Sequence, residues 1–403
     1  MRFWRVFLAV CFVSLAAAPG AGAQARVQVS DVGVRYEFGI QVTLTARLEA
    51  GSPLQSATLF IQPQAKPEAL AFPLQPAGDG RVEYRYTVQP GFLRPFERVV
   101  FWFGVTLGDG QALASDRFAF RYDDNRFAWQ TLESGPLRLH WYTGEAAFGQ
   151  QALDSALAGL EAARRLVAAD PPDPLDIFVY ANAADLQSAL NRPEQAWVAG
   201  HADPDLGVAL VSIAPGPQQS LEMDRQFPHE LVHVLLYAKT GAGYARLPEW
   251  LREGLASLAE LTPDPDASRA LETASQTDSL IPLADLCGSF PPSAERNYLA
   301  YAESGSFVGF LYDAFGTQGL DSLISAYAGG LGCDPGAAAA LGKPLTQLES
   351  EWRESALGEN RAGAALRNLA PYIIVALVVL LVPLWQVFAR QQERSDENEH
   401  FLE

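Results

Sequence analysis

The apolar pattern of the chain changes near residue 129, and this change constrains the fold more than any other sequence feature. From residue 24 to residue 128, β-branched and aromatic residues alternate with polar ones, as in VRYEFGIQVTLTARL and ERVVFWFGVTL. Gly-Asp-Gly turns interrupt the pattern at 78–80 and 108–110. Period-two alternation broken by such turns is typical of a β-sandwich. We therefore expect an immunoglobulin- or fibronectin-like sandwich over residues 24–128, with no chemistry of its own.

Beyond residue 129 the pattern alternates between strands and helices. The segments predicted to be strands are 137–142, 175–181 and 207–213. Between the first two, the Ala-rich stretch 150–169 has leucines spaced for an amphipathic helix, and from Leu247 onward the pattern is mostly helical. Strands that lead into helices indicate an α+β domain, which we expect over residues 129–357.

The N-terminus has the features of an export signal. Met1–Arg5 is basic, Val6–Ala18 is apolar, and Ala21-Gly22-Ala23 fits the small-residue pattern of a cleavage site. We predict a signal peptide over residues 1–23. An uncleaved N-terminal anchor is the alternative, although the apolar run is short for a membrane span.

A second apolar segment lies near the C-terminus. Residues 371–389 contain no charged side chain, and a helix of this length crosses a bilayer core of about 30 Å. We predict a transmembrane helix there, preceded by a linker at 358–370 and followed by a cytoplasmic tail at 390–403. With a cleaved signal, this topology gives a single-pass cell-membrane protein whose residues 24–370 are extracytoplasmic.

The charge balance argues against one class of partner. The chain has 29 Lys and Arg against 47 Asp and Glu, a net charge of −18, and no Lys/Arg-rich run. Phosphate backbones are bound by clustered basic side chains. Nucleic acid is therefore excluded as an expected partner.

The cysteines bear on the compartment. Cys11 lies within the predicted signal peptide, which leaves Cys287 and Cys333 as a pair in an oxidising environment. A disulfide between them and two buried free thiols are both compatible with the sequence.

The chemistry of the chain centres on an H-E-x-x-H motif. His229 and His233 are four residues apart and would share one face of a helix, so both imidazoles could bind one ion. Glu230 would lie about 100° around that helix, where it could act on a water molecule without ligating the metal. Pro228, just ahead of the motif, marks either the first turn of this helix or a bend in it.

A catalytic zinc site usually has three protein ligands. The segment 248–257, PEWLREGLAS, is a helix candidate that offers Glu249 and Glu253, one turn apart. Pro248 suits the first turn of such a helix, and an acidic residue in that turn is favoured by the helix dipole, which accounts for Glu249 without a metal.

The two motifs together resemble the gluzincin zinc metallopeptidases, particularly the group called peptidase MA-like. HELVH is followed about twenty residues later by WLREGLA, and the resemblance covers residues 220–315. It implies one zinc ion bound by His229, His233 and Glu253, with Glu230 as general base. It also implies that the substrate is a peptide or protein.

The resemblance also implies an oxyanion-stabilising tyrosine on a later helix. Tyr301 is the match, Tyr298 one turn earlier is the alternative, and His201 is another candidate donor. Ser257 occupies a position from which such proteins support a ligand imidazole, or it is a small packing residue.

These features predict a membrane-anchored, outward-facing zinc peptidase. The G-A-M-E-N string with which aminopeptidases of this superfamily hold a free N-terminus is missing from the sequence, which favours an endopeptidase. Strand 207–213 is the expected edge for pairing with an extended substrate. The alternative function is a catalytically idle, peptidase-like binding or sensing protein at the cell surface.

Overall fold

In the computed structural model of the protein, the described residues are 27–191 and 200–358, together with five isolated positions. These positions are Leu369, Tyr372, Ile373, Val375 and Val379. The chain divides into two compact units, an N-terminal unit that ends at Arg126 and a C-terminal unit that begins at Phe127. The predicted order, a β region followed by a helix-rich domain, is confirmed.

Both predicted terminal segments lie outside this described part of the chain. The signal peptide (1–23) falls there entirely, as do the tail (390–403) and all but a few positions of the linker and the span (371–389). Of the residues that are described, none belong to a helix long and apolar enough to cross a membrane. The export signal, the span and the topology therefore stay predictions.

The N-terminal unit is built from antiparallel strands. They are β1 Gln28–Glu37, β2 Gln41–Glu49, β3 Leu54–Pro63, β4 Leu70–Leu74, β5 Arg81–Thr87, β6 Arg98–Leu107, β7 Ala112–Ala114 and β8 Phe118–Arg121. One sheet has the order β1-β2-β5, and the other has the order β4-β3-β6-β7, with β8 also pairing with β6.

Alternation along the strands gives each sheet one buried face. In β2, Val42, Leu44, Ala46 and Leu48 are buried, while the residues that alternate with them are partly exposed. Phe72 of β4 stacks on Tyr84 of β5 with ring centroids 4.6 Å apart, so the two sheets meet through their aromatic side chains.

The C-terminal unit has a mixed sheet with helices packed on it. Its strands are β9 Gln130–Ser134, β10 Leu137–Trp141, β11 Leu175–Tyr180, β12 Gly200–Asp203 and β13 Val208–Ser212, in the order β12-β13-β11-β10-β9. Strands β10, β11 and β13 run parallel, and the outer two are antiparallel to their neighbours. The three predicted strands are confirmed.

One prediction about this sheet is wrong. Strand 207–213, here β13, was expected at the edge, but it pairs with β11 on one side and β12 on the other. Its apolar run is buried on both faces, as in a central strand. The outer strand on this side of the sheet is β12, a four-residue strand of sequence GHAD that carries too little apolar pattern to be predicted.

The helices follow the sheet strands and fill the rest of the unit. They are α1 Ala146–Leu166, α2 Ala183–Leu190, α3 Gln219–Thr240, α4 Glu249–Ala259, α5 Pro265–Gln276, α6 Ala294–Ala328, α7 Cys333–Leu341 and α8 Leu345–Ala356. A 3₁₀ helix, Gly241–Arg246, joins α3 to α4. Helix α6 is interrupted at Gly316, whose φ of 64° lies outside the helical region.

Pro228 lies inside α3, nine residues after its start, so it does not mark the first turn. Gly159 of α1 faces it closely, since a Cβ on Gly159 would lie 3.0 Å from the Pro228 nitrogen. The glycine thus lets α1 pack tightly against α3 at the turn that carries the motif.

The start of α4 is fixed by a neighbouring loop. The Glu249 and Trp250 backbone N–H groups donate to the carbonyls of Cys287 and Leu286, at 3.3 and 3.0 Å. These are N–H groups of a first helical turn, which have no partner within their own helix. Cys287 is joined by a disulfide to Cys333 at the start of α7, so the loop that caps α4 is itself covalently held.

Candidate active site

Three predicted ligands converge between α3 and α4. Glu253 Oε2 lies 3.3 Å from His229 Nε2 and 3.6 Å from His233 Nε2. One donor atom from each residue can be chosen so that all three lie within 4.8 Å of one another. In a tetrahedral zinc site with bonds of about 2.0–2.2 Å, ligand atoms lie about 3.4 Å apart. These donors are therefore positioned to bind a metal ion, and their type and spacing fit zinc.

Local packing brings Glu253 to the histidines. Trp250, Leu251 and Leu255 on α4 are fully buried, which fixes the rotation of the helix. Gly254 packs directly on the Ser304 carbonyl of α6, where a Cβ would overlap it. Close approach of the helices at this glycine turns Glu253 towards α3.

Each histidine is held by a hydrogen bond at its second nitrogen. His229 Nδ1 lies 3.2 Å from Glu260 Oε1, and the Tyr244 hydroxyl lies 3.2 Å from His233 Nδ1. Both Nε2 atoms are thus left facing Glu253. Sequence reasoning missed these two partners. A helical extrapolation from Glu253 would have found Glu260, seven residues later on the same face, but Tyr244 lies in a short 3₁₀ connection without a pattern.

The electrostatics of the cluster favour a cation at its centre. Burial alone would raise the pKa of Glu253, but the imidazoles of His233 and His229 outweigh burial and hold that pKa well below its usual range. Burial likewise opposes protonation of His229, yet its hydrogen bonds with Glu253 and Glu260 hold its pKa well above the usual value. Carboxylates on both sides of the imidazoles stabilise positive charge there.

Glu230 is placed beside this cluster without being part of it. Its side chain is buried, and burial raises its pKa. Gly200, the first residue of edge strand β12, lies so close that a Cβ there would overlap Glu230 Oε1. The Glu230 carboxylate has no hydrogen-bond partner among the described residues.

Of the two candidate tyrosines, Tyr301 is beside the ligands and Tyr298 is not. The Tyr301 ring lies 6.2 Å from that of His229, and its pKa is raised by burial and by the nearby carboxylates, chiefly that of Glu253. The Tyr298 hydroxyl donates to Asp264 Oδ2 at 2.8 Å.

The remaining predicted residues have other partners. His201 Nε2 lies 3.5 Å from Asp203 on the same strand, which suits a structural role. Glu249 pairs with Arg252 in the first turn of α4, as expected of an acid that is not a ligand. Ser257 packs against Gly305 of α6, where a Cβ on the glycine would lie 3.1 Å from the Ser257 Cβ. Within the described part of the chain, Ser257 makes no hydrogen bond to either imidazole.

Comparison with protein families gives one match. The profile described as Peptidase MA superfamily matches residues 155–358, which include both motifs. No curated protein matches the sequence.

Comparison with solved structures gives matches of low TM-score. An aminopeptidase N family protein from Idiomarina loihiensis is 9% identical, with a TM-score of 0.34, covering 82% of this chain and 71% of that one. Wild-type OgpA from Akkermansia muciniphila is 16% identical, with a TM-score of 0.20, covering 25% of this chain and 28% of that one. A polysaccharide deacetylase from Bacillus cereus is 8% identical, with a TM-score of 0.21, covering 42% and 55%. At these TM-scores the similarities say nothing about function.

Proposed function

The chain belongs to the Peptidase MA superfamily, and from that membership we propose that it is a zinc-dependent endopeptidase of the gluzincin type. The observation that carries the proposal is the convergence of His229, His233 and Glu253 on one point, with Glu230 beside them. Peptide and protein substrates follow from the family. The G-A-M-E-N string, which would hold a free N-terminus, is missing, and this favours internal cleavage.

The residues divide the chemistry between them. His229, His233 and Glu253 would hold a zinc ion, which would supply Lewis-acid polarisation of the scissile carbonyl and make an attacking water more acidic. The Glu230 carboxylate accepts the proton of that water and returns it to the leaving amine. The Tyr301 phenol, kept protonated by burial and by Glu253, donates a hydrogen bond to the developing oxyanion.

We also propose that an extended substrate pairs with β12. This strand is one of the two outer strands of the described sheet, the other being β9, and its first residue, Gly200, is next to Glu230. Backbone pairing along an edge strand accepts any peptide sequence, which leaves the selection of side chains to the surrounding surface.

The cellular setting belongs to the same proposal. The predicted signal peptide (1–23) and span (371–389) would anchor the protein in the cell membrane with the site on the extracytoplasmic side. The two antiparallel sheets of residues 27–126 support an immunoglobulin- or fibronectin-like sandwich that serves as a spacer or binding module.

Metal analysis of the purified protein tests the site first. We expect one zinc per chain in the native protein and its loss in His229→Ala and Glu253→Ala. Glu249→Gln is the matched control, one turn away on the same helix, and should retain zinc. A native protein without zinc would refute the site.

A fluorogenic peptide-library digest, with and without a chelator, then tests the reaction. We expect internal cleavage that the chelator abolishes and added zinc restores. Stoichiometric zinc without cleavage of any peptide would support the alternative, a catalytically idle protein that binds or senses.

A further inference from the structure

The two histidines of the site are held by partners of different chemistry. His233 Nδ1 faces the neutral Tyr244 hydroxyl, whereas His229 Nδ1 faces the Glu260 carboxylate, each at 3.2 Å. A carboxylate that accepts from Nδ1–H fixes the tautomer of an imidazole, and its negative charge strengthens the other nitrogen as a metal ligand. The tautomer of His229 is therefore set by a charged partner, the Glu260 carboxylate.

Glu260 has a defined place at the end of a helix. It is the residue that follows α4, with an extended backbone, and its N–H donates to the Ser257 carbonyl. Its side chain is only 18% exposed, so its contact with His229 is shielded from solvent. The Glu260 carboxylate is therefore fixed in position, unlike that of an exposed surface acid.

The chain after Glu260 is tied to the helix that carries His229. The Leu261 N–H donates to the Asp224 carbonyl of α3 at 2.9 Å. Arg225 adds a second tie, because its Nε donates to the Thr262 carbonyl at 3.2 Å and its guanidinium also donates to the next carbonyl, that of Pro263, at 3.3 Å.

Pro228 explains why the Asp224 carbonyl is free to accept this bond. In a regular helix the carbonyl of residue 224 accepts from the N–H of residue 228, and a proline at that position has no N–H. The hydrogen bond that α3 loses inside the helix is replaced by one from Leu261. The proline next to the zinc motif thus creates the attachment point for the segment that carries Glu260.

We propose that Glu260 is a positioning residue for His229, and that Pro228 serves it by leaving the Asp224 carbonyl free for Leu261. The inference rests on the proposed metal site and deepens it. Glu260 orients the imidazole so that Nε2 points towards the metal, and it raises the affinity of the site without touching the ion. This role belongs to Glu260 rather than to Ser257.

Zinc affinity measured by competition with a chromogenic chelator tests the role of Glu260 on the full-length protein. Loss of such a partner weakens metal binding by about 10–100-fold. We expect this loss in Glu260→Ala and a smaller loss in Glu260→Gln, which keeps an acceptor oxygen but lacks the charge. Glu272→Gln, which changes an exposed acid on α5, is the control and should match the native protein.

The thermal midpoint of the metal-free protein separates positioning from folding. We expect the metal-free Glu260 variants to unfold cooperatively and only slightly below the native protein, because they lose one hydrogen bond to His229, so that their loss of zinc affinity is not a loss of the fold. Native zinc affinity in Glu260→Ala would overturn the inference. A zinc affinity lower in Glu260→Gln than in Glu260→Ala would also overturn it.

A double-mutant cycle tests the role of Pro228. Pro228→Ala restores an N–H that competes for the Asp224 carbonyl, and we expect zinc affinity to fall severalfold. If Pro228 acts through Glu260, the double variant Pro228→Ala/Glu260→Ala will bind zinc no more weakly than Glu260→Ala alone. Losses that multiply would show that the two residues act independently and would overturn this part.

The outcomes also distinguish this inference from the function on which it rests. A native protein that binds no zinc contradicts the proposed metal site. A native protein that binds zinc, together with a Glu260→Ala variant of equal affinity, contradicts the positioning role alone.

Discussion

The two units bury carboxylates in different ways. In the N-terminal unit, Glu97 is fully buried, and its two oxygens accept from the Ala65 and Arg94 N–H groups at 3.0 and 3.2 Å. In the C-terminal unit, Glu230 is 6% exposed, and its carboxylate has no hydrogen-bond partner among the described residues. Glu303 is intermediate, since one oxygen accepts from the Ile281 N–H at 2.9 Å and the other, among described residues, has no partner.

This difference separates carboxylates that maintain the fold from those that are open to other uses. A buried acid with both oxygens bonded stabilises its surroundings, whereas one without partners costs free energy unless a ligand or proton satisfies it. The excess of acidic over basic side chains is also larger in the C-terminal unit. Residues 27–126 contain 10 basic and 11 acidic side chains, while residues 127–358 contain 12 and 30.

The largest effect should come from Glu230, whose carboxylate has no hydrogen-bond partner among the described residues. Glu230→Gln keeps the size of the side chain and removes its basicity, so we expect turnover to fall by about a thousandfold while zinc stays bound. Peptide cleavage and zinc content, measured on the same preparation, check this. Because a buried charge is removed and no hydrogen bond to a described residue is lost, the unfolding midpoint should not fall. Substantial remaining cleavage would remove Glu230 from its role.

Glu303 tests the intermediate case through pH. Burial raises its pKa to about 7, against an ordinary 4.5, although the Ile281 N–H opposes this. Between these pH values the folded protein holds a proton that the unfolded chain has released. The contribution of Glu303 to stability is therefore fully present below pH 4.5 and is lost as the pH rises through 7.

Glu303→Gln resembles the protonated acid and should abolish that dependence. We expect it to stabilise the protein by up to about 3 kcal/mol at pH 8 and to have little effect at pH 4.5. Denaturant unfolding at both pH values measures this, with Glu295→Gln on the exposed start of α6 as the control. A variant that is equally destabilised at both pH values would contradict the assignment.

Glu97 should respond in the opposite way. Glu97→Gln places an amide N–H₂ against a backbone donor, so we expect a loss of about 2 kcal/mol in stability at pH 7 and no change in zinc content. Unfolding of the purified protein measures it, and Glu68→Gln, an exposed acid of the same unit, is the control. A neutral result would mean that buried acids in the two units do not differ.

The sequence predicts the parts of this molecule that depend on periodicity. The change near residue 129 follows from a shift between period two and helical spacing. The pairing of His229 with His233 follows from helical spacing, and Glu253 follows from the resemblance of the two motifs to a known family. These predictions depend on spacing within one helix or strand, or on a known pair of motifs. For the same reason Glu249 and Glu253, one turn apart, were separated by the resemblance and not by spacing.

The parts that escaped prediction depend on contacts between elements distant in sequence. Strand β12 is short and polar, and it forms because β13 offers it a partner. Tyr244 reaches His233 from a 3₁₀ turn whose path is set by neighbouring helices. Pro228 was compatible with a first turn or with a bend inside the helix, and it lies inside α3, where Leu261, thirty-three residues later, bonds the carbonyl that it frees.

The smallest of the expected effects concerns the space beside Glu230. A Cβ on Gly200 would overlap Glu230 Oε1 and lie 2.9 Å from its Cδ, so Gly200→Ala should displace the carboxylate without disturbing the metal ligands. We expect kcat to fall about tenfold, equivalent to about 1.4 kcal/mol, with zinc content unchanged. Gly108→Ala in the N-terminal unit is the matched control, because its nearest neighbour is 3.8 Å away. Equal activity in both variants would mean that β12 does not set the position of Glu230, and the contrast between the two units would then rest on hydrogen bonding alone.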